Sequence, residues 1–418
     1  MWLEYFLWSF LVFTIICVIY YVSNRKKRKI AFYNKTDLNW IEVTPREQQK
    51  KTYSVFLIGD AGAPSLLKQE PTLKILQNQL EQVDENSAVF FLGDNIYPTG
   101  FPLTSDPEHE TAEKRLVEQL KITKNFKGRV CMISGNHDWN KGRAGGFQAM
   151  MRQQAYVDGY FGKKDVYLPR NGCPDPVEIQ ATPFLTFVVL NTQWWVHTST
   201  KPIGKSGGCS INNEQEFFVE LTKILERNKD KTIVVIGHHP MYSKAMHGGK
   251  FDMKQHLFPL TEVNKKMYIP LPIAGSIYPI YRKYIGSRED MAHPRYRNLR
   301  KRLIAIFEKY DGLIYAAGHD HNLQYIKKHN QHYIVSGAGC KVTYVQKGSG
   351  AYFTHAHKGF FRLDYYDNGD LWLEVWEPDE LGEASLVYRK ELHDNDLIGD
   401  MIKQQTVARP KDELHTSP

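Results

Sequence analysis

Five times along this chain a short apolar run ends in glycine, and the next residue is of a metal-binding type. The segments are Phe56-Leu57-Ile58-Gly59-Asp60, Phe90-Phe91-Leu92-Gly93-Asp94, Met132-Ile133-Ser134-Gly135-Asn136, Val234-Val235-Ile236-Gly237-His238 and Tyr315-Ala316-Ala317-Gly318-His319. Continuous apolar runs of this length read as strands buried on both faces, because a strand wetted on one side would alternate. Glycine lets the chain turn sharply and approach a ligand closely. In open α/β sheets a site lies beyond the carboxyl ends of the strands, so five such ends can converge on one place. Helical patterns lie between the runs. One takes in Leu66, Leu67, Leu73, Leu76, Leu80 and Val83 with Ser65 as its cap, and another runs from Asn213 through Phe217, Phe218, Leu221 and Leu225. The alternation predicts a layered α/β fold. Residues 361–376 alternate around Asp367-Asn368-Gly369, which predicts a hairpin.

A single Gly-Asp turn after a strand is common for steric reasons alone. The ordered set carries more: two aspartates, an asparagine and three histidines (Asp60, Asp94, Asn136, His238, His319, His321) all fall at or just past strand ends. Oxygen and imidazole donors together suit iron, zinc or manganese, whereas carboxylates alone would suit magnesium or calcium.

GDAG (59–62), GDNIY (93–97), GNHD (135–138), VIGHHP (235–240) and GHDHNLQY (318–325), followed by SGAG (336–339), resemble in order the motif blocks of the purple acid phosphatase branch of the calcineurin-like metallophosphoesterases. The resemblance covers most of Thr52 to Glu374. Gly62, where most of the superfamily has histidine, and Tyr97, three residues after the second aspartate, follow the purple acid phosphatase pattern. The resemblance implies a four-layer α/β/β/α sandwich of two sheets flanked by helices. It implies ferric iron held by Asp60, Asp94, Tyr97 and His321. A second metal, ferrous iron, zinc or manganese, would be held by Asp94, Asn136, His238 and His319, with Asp94 bridging. It also implies that metal-bound hydroxide attacks phosphorus in line. By the same alignment His137 and His247 contact the phosphate and assist the leaving group, with Asp138 orienting His137 from behind. His239 reads as structural or as lying just outside the ligands.

The expected activity is therefore hydrolysis of phosphomonoesters on a small molecule, protein or lipid. A phosphodiesterase or pyrophosphatase on nucleotide or lipid headgroups would use the same core. A non-catalytic membrane scaffold is disfavoured by the complete donor set. Of the net charge of +8, five units sit in Arg25–Lys29, so the domain carries little basic excess and no nucleic-acid partner is expected. Five cysteines with no CxxC spacing predict neither a disulfide framework nor a structural zinc.

Tyr5 to Asn24 is uncharged and mostly apolar, with aromatics at both ends, which predicts a membrane anchor over residues 1–24. A cleaved signal would want a basic start and a small-residue cleavage site, and neither is present. The basic cluster then places the catalytic domain on the cytoplasmic face. The expected organisation is anchor (1–24), basic juxtamembrane segment and linker (25–51), catalytic domain (52–393) and polar tail (394–418). Within the domain, an aromatic, prolyl and basic insertion over about 250–296 suggests a lid or a surface resting on lipid headgroups.

Overall fold

In the computed structural model, which describes residues 1–23 and 30–393, the apolar runs become the parallel centres of two sheets. The first sheet has eight strands in the order Phe32–Tyr33 (β1), Phe353–His355 (β11), Leu323–Lys328 (β9), Gln331–Ser336 (β10), Ile314–Ala317 (β8), Thr232–Ile236 (β7), Leu185–Val189 (β6) and Val177–Thr182 (β5). The second has six: Ala384–His393 (β14), Leu371–Pro378 (β13), Phe360–Tyr366 (β12), Lys51–Ile58 (β2), Ser87–Phe91 (β3) and Arg129–Met132 (β4). Strands β6, β7, β8 and β10 run parallel, as do β2, β3 and β4. Every glycine turn singled out in the sequence leaves one of these parallel strands at its carboxyl end.

Side chains alternate between layers because successive Cβ atoms on a strand point to opposite faces. Val55, Leu57, Phe90, Phe187, Val234 and Ile314 meet between the sheets. Phe56, Ile58, Val89 and Met132 face outward onto the helices Pro71–Leu80, His109–Leu120 and Gly146–Phe161. On the other side Val188, Val235 and Tyr315 pack on Glu214–Arg227 and Pro294–Phe307. Both sheets are thus covered on both faces, which is why their central strands read as unbroken apolar runs. The fold is the expected four-layer α/β/β/α sandwich.

The second predicted helix and the hairpin form as expected. Asn213 caps Glu214–Arg227 by accepting from the amides of Gln215 and Glu216, and β12 and β13 pair across the turn at 367–370. The first predicted helix begins later than expected, at Pro71 rather than after Ser65. Proline supplies a preset φ for a first helical position, and Leu66 and Leu67 stay exposed ahead of it.

Two expectations fail. Residues 30–51 are not a free linker: β1 pairs with β11, and buried Asp37 accepts from Tyr388 Oη (2.5 Å) and Lys390 Nζ (2.6 Å). A two-residue strand is too short to show a period. Cys173 and Cys209 form a disulfide with Cα atoms 5.5 Å apart; an odd cysteine count requires one left over and does not forbid a pair. Free Cys131 is buried, as an ordinary small hydrophobe.

The helix Trp2–Ser23 has 22 residues, about 33 Å at 1.5 Å per residue, long enough to cross a hydrocarbon core. It is apolar and stands clear of the sandwich core. Its end touches the insertion, where the Tyr21 and Phe258 rings lie edge-on at 5.8 Å. The basic cluster at 25–29 and the tail from 394 lie outside the described residues.

Candidate metal centre

The turns after β2, β3, β4, β7 and β8 meet at one place and bring all seven proposed donors together. They fall into two groups that share Asp94. In the first, Tyr97 Oη lies 2.9 Å from Asp60 Oδ1, 3.2 Å from Asp94 Oδ2 and 3.0 Å from His321 Nε2. In the second, Asn136 Oδ1 lies 3.0 Å from His238 Nε2 and 3.1 Å from His319 Nδ1, and His238 Nε2 is 3.5 Å from Asp94 Oδ1. Asp60, Asp94 and His319 all adopt left-handed backbone conformations, with φ of 58°, 55° and 73°. Non-glycine residues are rarely held so unless their surroundings impose it, and such residues cluster at functional sites. Gly318 has no alternative, since a Cβ there would lie 2.5 Å from Asp60 Oδ2.

The donor chemistry fits cations. His238 Nδ1 faces the carbonyl of Leu92 at 2.8 Å, and His319 Nε2 faces the carbonyl of Glu289 at 2.8 Å. A carbonyl can only accept, so each takes a ring proton and leaves the other nitrogen bare. Those bare nitrogens, His238 Nε2 and His319 Nδ1, face each other at 3.2 Å with the Asn136 amide oxygen between them. Three lone pairs converging without a proton call for a positive charge. Titration points the same way. Burial and then the charge of Asp60 hold the Asp94 carboxyl well above its usual range. Burial followed by Asp60 and Asp94 does the same to the Tyr97 phenol, and burial with three neighbouring imidazoles depresses His319. A cation reverses each of these costs.

His137 borders the first group, its ring 4.2 Å from that of Tyr97 and its Nε2 3.9 Å from Asp94 Oδ2. Its Nδ1 meets the Pro98 carbonyl at 2.6 Å. The expected support from Asp138 is absent. That carboxylate turns inward and accepts from the amides of Gly135 (2.7 Å), Asn95 (3.0 Å) and Ile96 (3.2 Å). It therefore braces the two turns that present Asp94 and Asn136. Burial, then the charge of Asp94, lift its carboxyl to about 7. His247 borders the second group, its ring 4.0 Å from that of His319. His239 is buried behind, with Nδ1 2.9 Å from Thr192 Oγ1 and Nε2 3.4 Å from Glu289 Oε2.

The sequence reading missed four residues. His247 Nδ1 lies 2.9 Å from Asp290 Oδ1, and Arg282 grips the same carboxylate, with Nε 2.8 Å from Oδ2. Glu289 supplies the carbonyl that orients His319, and Lys341 Nζ sits 3.0 Å above the Tyr97 ring. Three of the four come from the insertion, which has no motif. Only the charged string Ser287-Arg288-Glu289-Asp290, close after an aromatic stretch, could have pointed to them.

Residues 53–337 match the family model described as calcineurin-like phosphoesterase. Purple acid phosphatase 4 of Arabidopsis thaliana is 23% identical over 214 residues, covering 51% of this chain and 59% of that protein. Purple acid phosphatase 3 of the same plant is 22% identical over 217 residues, covering 51% and 55%. The chain therefore spans a little over half the length of the curated relatives it matches. Among solved structures, GAP50, described as the anchor in the inner membrane complex of Plasmodium, has a TM-score of 0.52 at 17% identity and covers 88% of this chain and 98% of that one. Purple acid phosphatase PPD1 from yellow lupin (Lupinus luteus) seeds has a TM-score of 0.50 at 16% identity, covering 83% and 55%. PhoD has 0.51 at 11% identity, covering 87% and 79%. At these identities the structural likeness speaks for the fold alone. The family match takes in all five glycine turns and more than half of the chain, and this protein belongs to the calcineurin-like phosphoesterase family.

Proposed function

We propose that this chain is a binuclear-metal phosphoester hydrolase, acting on phosphomonoesters and tethered to a membrane by its N-terminal helix. The reading rests on one observation, two donor groups of unlike chemistry sharing the Asp94 carboxylate. Asp60, Asp94, Tyr97 and His321 would hold ferric iron, since a phenolate is a hard anion suited to it. Asp94, Asn136, His238 and His319 would hold ferrous iron, zinc or manganese. Bound there, a pair of ions supplies Lewis acidity at phosphorus and an activated water.

The chain's own residues do the rest. The Pro98 carbonyl accepts from His137 Nδ1 and turns Nε2 to the side of Asp94, where the doubly protonated ring would donate to a phosphate oxygen. Asp290 holds the Nδ1 side of His247, so Nε2 is the atom that hands a proton to the leaving oxygen. From the insertion, Arg282 holds Asp290 behind His247, and the Glu289 carbonyl orients His319.

A second reading, a phosphodiesterase on lipid headgroups, is favoured by the exposed apolar insertion beside His247. A non-catalytic role, suggested by the neighbour described as an anchor, is disfavoured by the full donor set. Metal analysis with an absorption spectrum of the full chain in detergent tests the first reading. A pair of ions per chain is expected, with Asp94→Ala losing ions and turnover together. Tyr97→Phe should lose any violet charge-transfer band while keeping part of the hydrolysis. A single ion per chain overturns the proposal. Turnover of an aryl phosphate against a bis-aryl phosphodiester separates the two enzymatic readings.

Two signals bear on orientation and oppose each other. The cluster Arg25–Lys29 favours the cytoplasmic face. The Cys173–Cys209 bond favours an oxidising compartment, which would also keep iron ferric. Protease protection in sealed vesicles, with an alkylation assay of the two cysteines, distinguishes them.

A further inference from the structure

Away from the donor groups, a cavity of about 220 Å³ opens against the insertion. Lys244, Lys283, Arg300 and Lys328 line it, no aspartate or glutamate among the described residues does, and its Gly248-Gly249 edge follows His247 directly in the chain. Arg300 and Lys328 crowd the same ring, 5.0 and 5.9 Å from the centroid of Tyr242. Burial, and then the charges of Lys328 and Lys250, press the Lys244 ammonium below its ordinary value. Cations gathered in a recess without a carboxylate repel one another, and an anion relieves that repulsion.

A second cavity, of about 420 Å³, shares Gly249 and Lys283 with the first, but much of its wall is apolar: Phe251, Pro279, Ile280 and Tyr284. Ile280 and Tyr284 are themselves exposed, and the same insertion leaves Val263, Ile273, Ile277 and Ile285 exposed. Exposed apolar side chains gathered on one segment mark a surface suited to a partner or a membrane. The insertion also carries Phe258, against which the end of the membrane-length helix packs through Tyr21. Cationic recess and apolar trough thus share a wall, and the anchor packs on the same insertion.

We propose that the paired cavities bind an anionic phospholipid of the host bilayer. Its phosphate would lie among Lys244, Lys283, Arg300 and Lys328, and its first acyl carbons along Phe251, Pro279, Ile280 and Tyr284. Access to the bilayer rests on the anchor reading above. Headgroup recognition by clustered basic residues beside a membrane helix is the chemistry such a surface suits.

The test uses the full chain in mixed micelles of phosphatidylcholine and phosphatidylglycerol. After gel filtration, the phospholipid retained per chain is identified by mass spectrometry. Wild type should retain phosphatidylglycerol in preference to phosphatidylcholine. The variant Lys244→Gln/Lys328→Gln should lose that preference with its melting temperature and aryl phosphate turnover unchanged. Ile280→Ser/Tyr284→Ser should release lipid more readily. Equal retention by wild type and the lysine variant overturns the proposal. So does displacement by soluble glycerol phosphate as complete as by short-chain phosphatidylglycerol, because the site would then read phosphate alone. Carbonate extraction of wild type from vesicles tests the anchor reading separately: release of the chain would end that reading, while the lipid count in micelles stands on its own.

Discussion

At the scale of single residues, the direction of a ring nitrogen decides what each histidine can do. His238 and His319 spend one nitrogen on a backbone carbonyl and offer the other to the centre, whereas His247 spends its Nδ1 on Asp290. We expect Asp290→Asn to lower kcat on an aryl phosphate by roughly 10- to 100-fold, as losing an orienting partner does. Metal content should be unchanged, and steady-state kinetics with metal analysis check both. A second trio, His355, His357 and Glu377, stands apart, with His355 Nδ1 2.6 Å and His357 Nδ1 3.1 Å from the carboxylate. The bond to Glu377 raises the His357 pKa, so its contribution to stability is present below 6.5 and fades as pH climbs through the raised value. Burial alone would raise Glu377, but bonds from the two imidazoles bring it below 4.5, so its contribution is present above 4.5 and fades as pH falls through the lowered value. Glu377→Gln should therefore reduce the melting temperature most between pH 4.5 and 6.5, a profile that thermal unfolding across pH reads directly.

At the scale of elements, what was legible depended on period and punctuation. The five buried runs were readable because a strand covered on both faces has no polar phase to lose. The helix after Asn213 was readable because its cap and its apolar stripe agree. Its cap accepts two amide bonds, both 3.0 Å, so Asn213→Ala should cost about 1 kcal/mol of stability by denaturant unfolding. The helix ending at Leu80 was read as starting too early because Leu66 and Leu67 continue its stripe. There the backbone preference of Pro71 overrode periodicity. The edge strand β1 was missed because its partner, β11, lies more than three hundred residues away in the chain.

At the scale of the whole molecule, the insertion is not an ornament on the sandwich but a wall of its site. The bond from Met291 N to His247 O, 2.9 Å, brings its two ends together. Residues 250–288 can therefore be excised and the gap closed with a short glycine-serine link. That chain should keep its metal content but lose most turnover even of a small aryl phosphate, because Arg282 leaves with the excised segment and Asp290 no longer has it. Unimpaired turnover would make the segment dispensable for catalysis. The amino-acid sequence alone determined the layered fold, the anchor-length helix and which side chains stand at the strand ends that converge, because each is written in local chemistry: an apolar period, a run without charge, a residue type placed after a glycine. It could not determine which nitrogen of each histidine faces inward, that Asp138 braces turns instead of His137, or that Cys173 finds Cys209. It was equally silent on Glu289 and Asp290 standing behind the imidazoles. Those depend on contacts between segments far apart in the chain, and such contacts exist only once the two sheets have closed on one another.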